Sequence, residues 1–130
     1  MMPREKMIGQ AGEHLVCAEL SASQINCSRA DESCPYDIIL DYGQLAKIQV
    51  KTSNYSESPH SIKFTVSRRN SVNRCYDKKD IDLFALVWLD EKKIAWLTYD
   101  ECCGWKKSIK KKEFDKYPLE RALSILKSND

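Results

Sequence analysis

Residues 81–89, IDLFALVWL, form an apolar run broken only by Asp82 and set between the charged segments DKKD and DEKK. The run is too short to cross a bilayer. It lacks the alternation of a strand with one wet face, so it reads as a central strand of a sheet covered on both sides. The rest of the chain must supply the neighbouring strands and the covering layers.

The flanking segments fit that demand. IAWLTY follows the DEKK turn as a further strand, and SIKFTVS alternates Ile62, Phe64 and Val66, the pattern of a half-buried strand. Tyr36–Asp41 and Leu45–Thr52 are strand-like and joined around YGQ, and a short strand is expected at about Ile25–Ser28. Helices are expected at both ends. In PREKMIGQAGEHLVCAELSAS, residues Ile8, Ala11, Leu15, Ala18 or Glu19, and Ala22 recur at helical spacing, which predicts a helix from Arg4 to Ser21. Pro3 suits its first turn. YPLERALSILK places Leu119, Leu123 and Leu126 on one helical face, and DECCGW reads as a short helical turn. The order helix, strands, helix predicts an α/β (α+β) fold in which helices cover a mixed sheet. A chain of 130 residues suits one domain, residues 1–130.

Composition narrows the function less. The start, MMPREKMIGQ, has no apolar signal core, so an intracellular, cytoplasmic protein is expected, with no membrane partner. The six cysteines have irregular spacing and no CxxC pair, so they are expected as free thiols and not as a zinc site. A net charge of +2 does not by itself imply a nucleic-acid partner. The charge is unevenly spread, however: WKKSIKKKEFDK holds six lysines between Lys106 and Lys116, and SRRN adds Arg68 and Arg69.

The hairpin carries the most information. With a tight reversal centred on Gly43, Asp37 and Gln49 lie equally far from the turn and face each other. Lys47, Gln49 and Lys51 then share one face of the second strand, while Ala46, Ile48 and Val50 point to the other. Glu13 lies on the flank of the first helix, near Val16 and Leu20, where its carboxylate borders the core. A carboxylate, an amide oxygen and an ammonium so converge, with a second carboxylate in reach. Hard oxygens with open positions suit Mg²⁺, and a neighbouring lysine can orient an attacking water or offset developing charge on phosphate. The same alternation is also what a half-exposed strand with surface pairs shows.

At these residues the sequence resembles the PD-(D/E)xK nuclease superfamily. Pro35-Tyr36-Asp37 looks like its first motif with one residue inserted, and Gln49-Val50-Lys51 like its second. GQAGEHLVCAEL is similar to the Gly-x-x-Gly-Glu opening of the first helix in junction-resolvase-like and homing-endonuclease-like branches. The resemblance runs from about Gly9 to Leu97. It implies a restriction-endonuclease-like core in αβββαβ order, with helices on both sides of the sheet. It also implies an endonuclease that hydrolyses DNA with Mg²⁺, for which Mn²⁺ can substitute. Glu13, Asp37, Gln49 and Lys51 would be its catalytic residues. Asp37, Gln49, Glu13 and the Val50 carbonyl would hold the metal, and Lys51 would assist the nucleophilic water.

Gln49 departs from the usual Asp or Glu, although some homing-type members carry Gln there. The missing charge leaves room for an inactive nucleic-acid-binding domain on the same fold. A Holliday-junction-resolvase-type nuclease and a protein-interaction domain are the other readings. For a nuclease, Arg68, Arg69, Lys106, Lys107 and Lys110 are the expected DNA contacts. Cutting both strands requires two sites, so a homodimer or higher homo-oligomer is expected. The apolar residues Trp105, Phe114, Leu119, Leu123 and Leu126 would serve either as that interface or as core.

Overall fold

The computed structural model describes residues 4–53, 58–66, 76–102 and 106–129. The chain opens with helix α1 (Arg4–Ala22) and continues through β1 (Cys27–Arg29), β2 (Ile38–Asp41), β3 (Leu45–Ser53) and β4 (Ser61–Thr65). Then come β5 (Leu83–Trp88), β6 (Lys93–Thr98), β7 (Lys106–Lys110) and helix α2 (Leu119–Ser128), with 3₁₀ turns at Leu89–Glu91, Tyr99–Cys102 and Lys111–Lys116. Five strands form one sheet in the order β1-β2-β3-β5-β6, with β3 and β5 parallel and the other pairs antiparallel. The sheet is mixed, as the sequence implies.

Strand β5 is covered on both faces. Leu83, Ala85 and Val87 pack in one core with Val16 and Leu20 of α1 and Ala122 and Leu123 of α2. Phe84 and Leu86 pack in a second core with Ile62 and Phe64 of β4, Ile109 of β7 and Phe114. Fully burying a Leu, Val or Phe side chain contributes on the order of 1.5–3 kcal/mol, so packing on both faces holds β5 in place. Asp82, the break in the apolar run, starts the parallel pairing: its Oδ2 accepts from the Lys47 N–H at 2.8 Å, and its own N–H donates to the Lys47 carbonyl at 2.9 Å.

Three details depart from the sequence reading. Both helices cover the same face, and the opposite face is closed by an antiparallel ribbon of β4 and β7 with the 3₁₀ turn at Lys111–Lys116. Where the resemblance implies a crossover helix, the described residues hold β4; residues 67–75 lie outside them. In α1 the buried positions are Gly12, Val16 and Leu20, whereas Ala18 and Ala22 are exposed. The helix turns one of its two glycines to β3: a Cβ at Gly12 would lie 1.8 Å from Thr52 Oγ1. Close approach, and not the width of an apolar stripe, sets which side of this helix faces inward. In the C-terminal segment Phe114 and Leu123 are buried, and Leu119 and Leu126 pack against the helix-covered core, so these residues are core; Trp105 lies outside the described residues.

Candidate active site

The reversal between β2 and β3 follows the expected register. Gly43 sits at φ +101°, its N–H donates to Asp41 Oδ1 at 2.9 Å, and Ile38 pairs with Ile48, Leu40 with Ala46. Pairing begins at Ile38, so Asp37 stands at the open end of the hairpin, where the two strands part. Three hydrogen bonds hold it there. Its N–H donates to the Ile48 carbonyl at 2.8 Å, its carbonyl accepts from the Ala30 N–H at 2.8 Å, and its Oδ2 accepts from the Val50 N–H at 2.8 Å. One carboxylate oxygen is thereby tied to β3.

Because the N–H and C=O of one strand residue point to the same edge, the Val50 carbonyl faces the Asp37 side as well. Gln49, next along, is buried on the face of Phe84, its partner across the parallel pair. Lys51 follows on that face. Its Nζ donates to the hydroxyl of Tyr76 at 3.0 Å and lies 5.1 Å from the centre of that ring. Tyr76 is packed edge-on against Phe84 at 5.9 Å and accepts, at its carbonyl, from the Tyr99 hydroxyl. The third polar side chain of that face, Lys47, goes elsewhere: its Nζ donates to the Lys79 carbonyl and lies 5.9 Å from the Tyr36 ring.

Across the open end, Glu13 of α1 accepts from Arg29 of β1, Nη2 to Oε1, at 3.0 Å. A cleft of about 490 Å³ separates these elements, lined among others by Gln10, Glu13, Arg29, Asp31 and Asp37. Asp37 is raised to about 6, first by burial away from water; the Val50 N–H opposes this, Glu13 adds to it, and Lys51 and Arg29 lower it. The site therefore carries a largely desolvated carboxylate, Asp37, whose charge the neighbouring Glu13 disfavours further, a situation a cation relieves. The oxygen donors here are hard: the Asp37 and Glu13 carboxylates line the cleft, and the Gln49 amide and Val50 carbonyl lie on the adjoining strand β3. They suit Mg²⁺ or Mn²⁺. Among the described residues no three His, Cys, Asp or Glu side chains cluster to hold a metal.

The structure brings Asp37, Gln49, Val50 and Lys51 together on the hairpin and Glu13 to the cleft beside them. Arg68 and Arg69 lie outside the described residues. Lys106, Lys107 and Lys110 lie on β7, which pairs with β4 and not with the hairpin. Lys107 is half-buried opposite the buried Phe64, while Lys110 is exposed. Two residues of the site were not singled out from sequence, Arg29 and Tyr76. Arg29 sits in a three-residue strand and Tyr76 beside DKK, and neither position carries a local pattern; only the tertiary fold sets them against Glu13 and Lys51.

A helix, a mixed sheet and a hairpin whose open end carries Asp and Gln-x-Lys place the chain in the restriction-endonuclease-like class. The family model of PD-(D/E)XK endonucleases matches residues 3–126, and the chain belongs to that family. Two solved structures share the fold. One is the bacterial homing endonuclease I-Ssp6803I, with a TM-score of 0.74 at 19% identity, covering 97% of this chain and 94% of the other. The second is the Holliday junction resolvase Hjc of Archaeoglobus fulgidus, with a TM-score of 0.56 at 14% identity, covering 88% and 94%. No curated protein matches the sequence significantly. No helix among the described residues is long and apolar enough to cross a membrane.

Proposed function

We propose that residues 1–130 form one nuclease domain, a divalent-metal-dependent endonuclease that hydrolyses DNA phosphodiester bonds. The observation that carries this reading is the Asp37–Val50 bond. It holds one oxygen of a desolvated carboxylate at the open end of the hairpin, beside the cleft that Asp37 and Glu13 both line, and places Lys51 one residue further along the same strand.

In this reading Asp37, Glu13, the Gln49 amide oxygen and the Val50 carbonyl hold Mg²⁺, with Mn²⁺ able to substitute. The ion supplies Lewis-acid stabilisation of the phosphoryl oxygens and a more acidic water. The chain's own residues do the rest. Asp37 keeps its geometry through its bonds to Ile48, Ala30 and Val50. Lys51, oriented by the Tyr76 hydroxyl, donates to the attacking water or to the non-bridging oxygen on which charge develops. Arg29 holds Glu13 in place and offsets its charge. Gln49 contributes an oxygen without a charge, so the site binds its metal less tightly than one with a third carboxylate. One domain holds one such site, so cutting both strands calls for a homodimer or a larger symmetric assembly.

The test is metal binding. Titration of Mn²⁺, followed by calorimetry or by loss of its free-ion resonance signal, should show a site in the native chain and none in Asp37→Ala. Equal binding by the two proteins would refute the assignment.

A further inference from the structure

The lysines of this chain are not placed alike. Lys78 pairs with Asp100 at 3.0 Å, Lys79 with Asp77 at 3.8 Å, Lys93 with Asp115 at 3.6 Å and Lys116 with Glu113 at 3.5 Å. Other lysines, Lys63 and Lys92 among them, have no ion pair among the described residues, and at the end of β7 three of this kind are adjacent. Lys110, Lys111 and Lys112 follow one another with no ion pair among the described residues. With Pro59, His60 and Ser61 they line a cleft of about 520 Å³, and among the described residues no carboxylate lines it.

The cleft is built from anchored backbone. Lys110 pairs in register with Ser61, and the Lys111 N–H donates to the His60 carbonyl at 2.8 Å. Lys111 Nζ lies 5.5 Å from the centre of the Trp88 ring. Buried Ile109 and Phe114 pin the segment on either side. Three adjacent ammonium groups held on a concave surface repel one another, and an anion with several charges at regular spacing is what that surface complements. Its position matters too. Trp88 pairs with Ser53, two residues beyond Lys51 on β3, which is ~7 Å along the strand. The cleft thus lies at the same end of the central strands as Lys51.

We infer that this cleft seats the sugar-phosphate backbone of duplex DNA a few nucleotides from the bond that is cut. The inference rests on the nuclease reading above and extends it to the surface that carries the substrate. Lys110 and Lys112, both exposed, supply point charges to phosphate oxygens, while Lys111 and the Ser61 hydroxyl border the track. Such contacts position the duplex and read no sequence.

The experiment compares the native protein with Lys110→Ala/Lys112→Ala, and with Lys78→Ala/Lys79→Ala as a control that removes two acid-paired lysines. Binding to a 30-base-pair duplex is followed by fluorescence anisotropy in EDTA, so that nothing is cut, across a series of salt concentrations. Each lost phosphate contact should lower the log–log salt slope by about 0.9. The cleft variant should therefore show a slope shallower by about 1.8 and at least tenfold weaker binding at low salt. Its melting temperature and its kcat with Mg²⁺ should be unchanged while KM rises, and Lys110→Arg/Lys112→Arg should bind like the native protein. A cleft variant that matches the control in slope and affinity, in a protein whose cutting still requires Lys51, overturns the inference and leaves the nuclease reading intact. A native protein that neither binds the duplex in EDTA nor cuts DNA with Mg²⁺ overturns both.

Discussion

The carboxylate of Asp37 is held by the backbone N–H of Val50, 2.8 Å from Oδ2, across the point where β2 and β3 part. The bond joins the first acidic position to the middle residue of Gln49-Val50-Lys51. It makes the hairpin register and the geometry of the candidate site the same fact: a slip of one residue would lose the bond and turn Gln49 and Lys51 to the other face.

Lys51→Ala should lower the rate of DNA cutting by about 10²–10³ and leave Mn²⁺ binding and the melting temperature near native, since Lys51 is only partly buried. Parallel cleavage and metal-titration assays check this. Loss of metal binding in Lys51→Ala would place the lysine in a structural role instead.

Tyr76→Phe removes the hydroxyl to which Lys51 Nζ donates at 3.0 Å but keeps the ring against Phe84. Lys51 then loses its orientation and not its charge. A fall in kcat of about tenfold with an unchanged KM is expected, together with a shift of the pH–rate profile. A change in KM alone would contradict the positioning role.

Much of this site was legible in the sequence. Gly43 and the alternation on either side of it sufficed to set Asp37 against Gln49, because a two-residue period and one positive-φ turn leave little freedom. Glu13 was legible as a flank residue, although the helix stripe was not: the inward side is chosen by Gly12 meeting Thr52, and the absence of a side chain leaves no hydrophobic signal. The ribbon strand β7 was obscured for the opposite reason. In KKSIK a single isoleucine, Ile109, faces the core, and charge dominates its pattern. Tyr76 and Arg29 depend on contacts between residues far apart in the chain, which no local pattern encodes.

Gly12→Ala should destabilise the protein by about 1–3 kcal/mol, because its Cβ would fall 1.8 Å from Thr52 Oγ1 and 2.9 Å from Thr52 Cβ. It should also reduce cutting, since α1 carries Glu13 on the next residue. Among the described residues Thr52 Oγ1 is buried without a hydrogen-bond partner, so Thr52→Ala alone should cost little, and adding it to Gly12→Ala should recover part of the loss. Chemical denaturation of the two single variants and the double variant measures the coupling. Strict additivity would show that the helix does not pack as described.

Asp37 should leave a mark on stability against pH. Burial raises its folded-state value to about 6, so between about pH 4 and pH 6 the folded chain holds a proton that the unfolded chain releases. In the metal-free protein its contribution to stability therefore falls as pH rises through that window and is level above it. Asp37→Asn, which avoids burying the charge, should be more stable than the native chain at pH 8, by about 1–3 kcal/mol, and equal to it near pH 4. Urea unfolding in EDTA at the two values checks the sign. A variant that is less stable at pH 8 would contradict it.

The central claim is that this hairpin is a metal-dependent cutting site. It is tested most directly by incubating the protein with supercoiled plasmid, a synthetic four-way junction and a randomised duplex library, each with Mg²⁺, Mn²⁺ or EDTA. Metal-dependent cleavage of at least one substrate, abolished by EDTA and by Lys51→Ala, is the predicted result. No cleavage of any of the three with either metal, or cleavage that persists in Lys51→Ala, would contradict it.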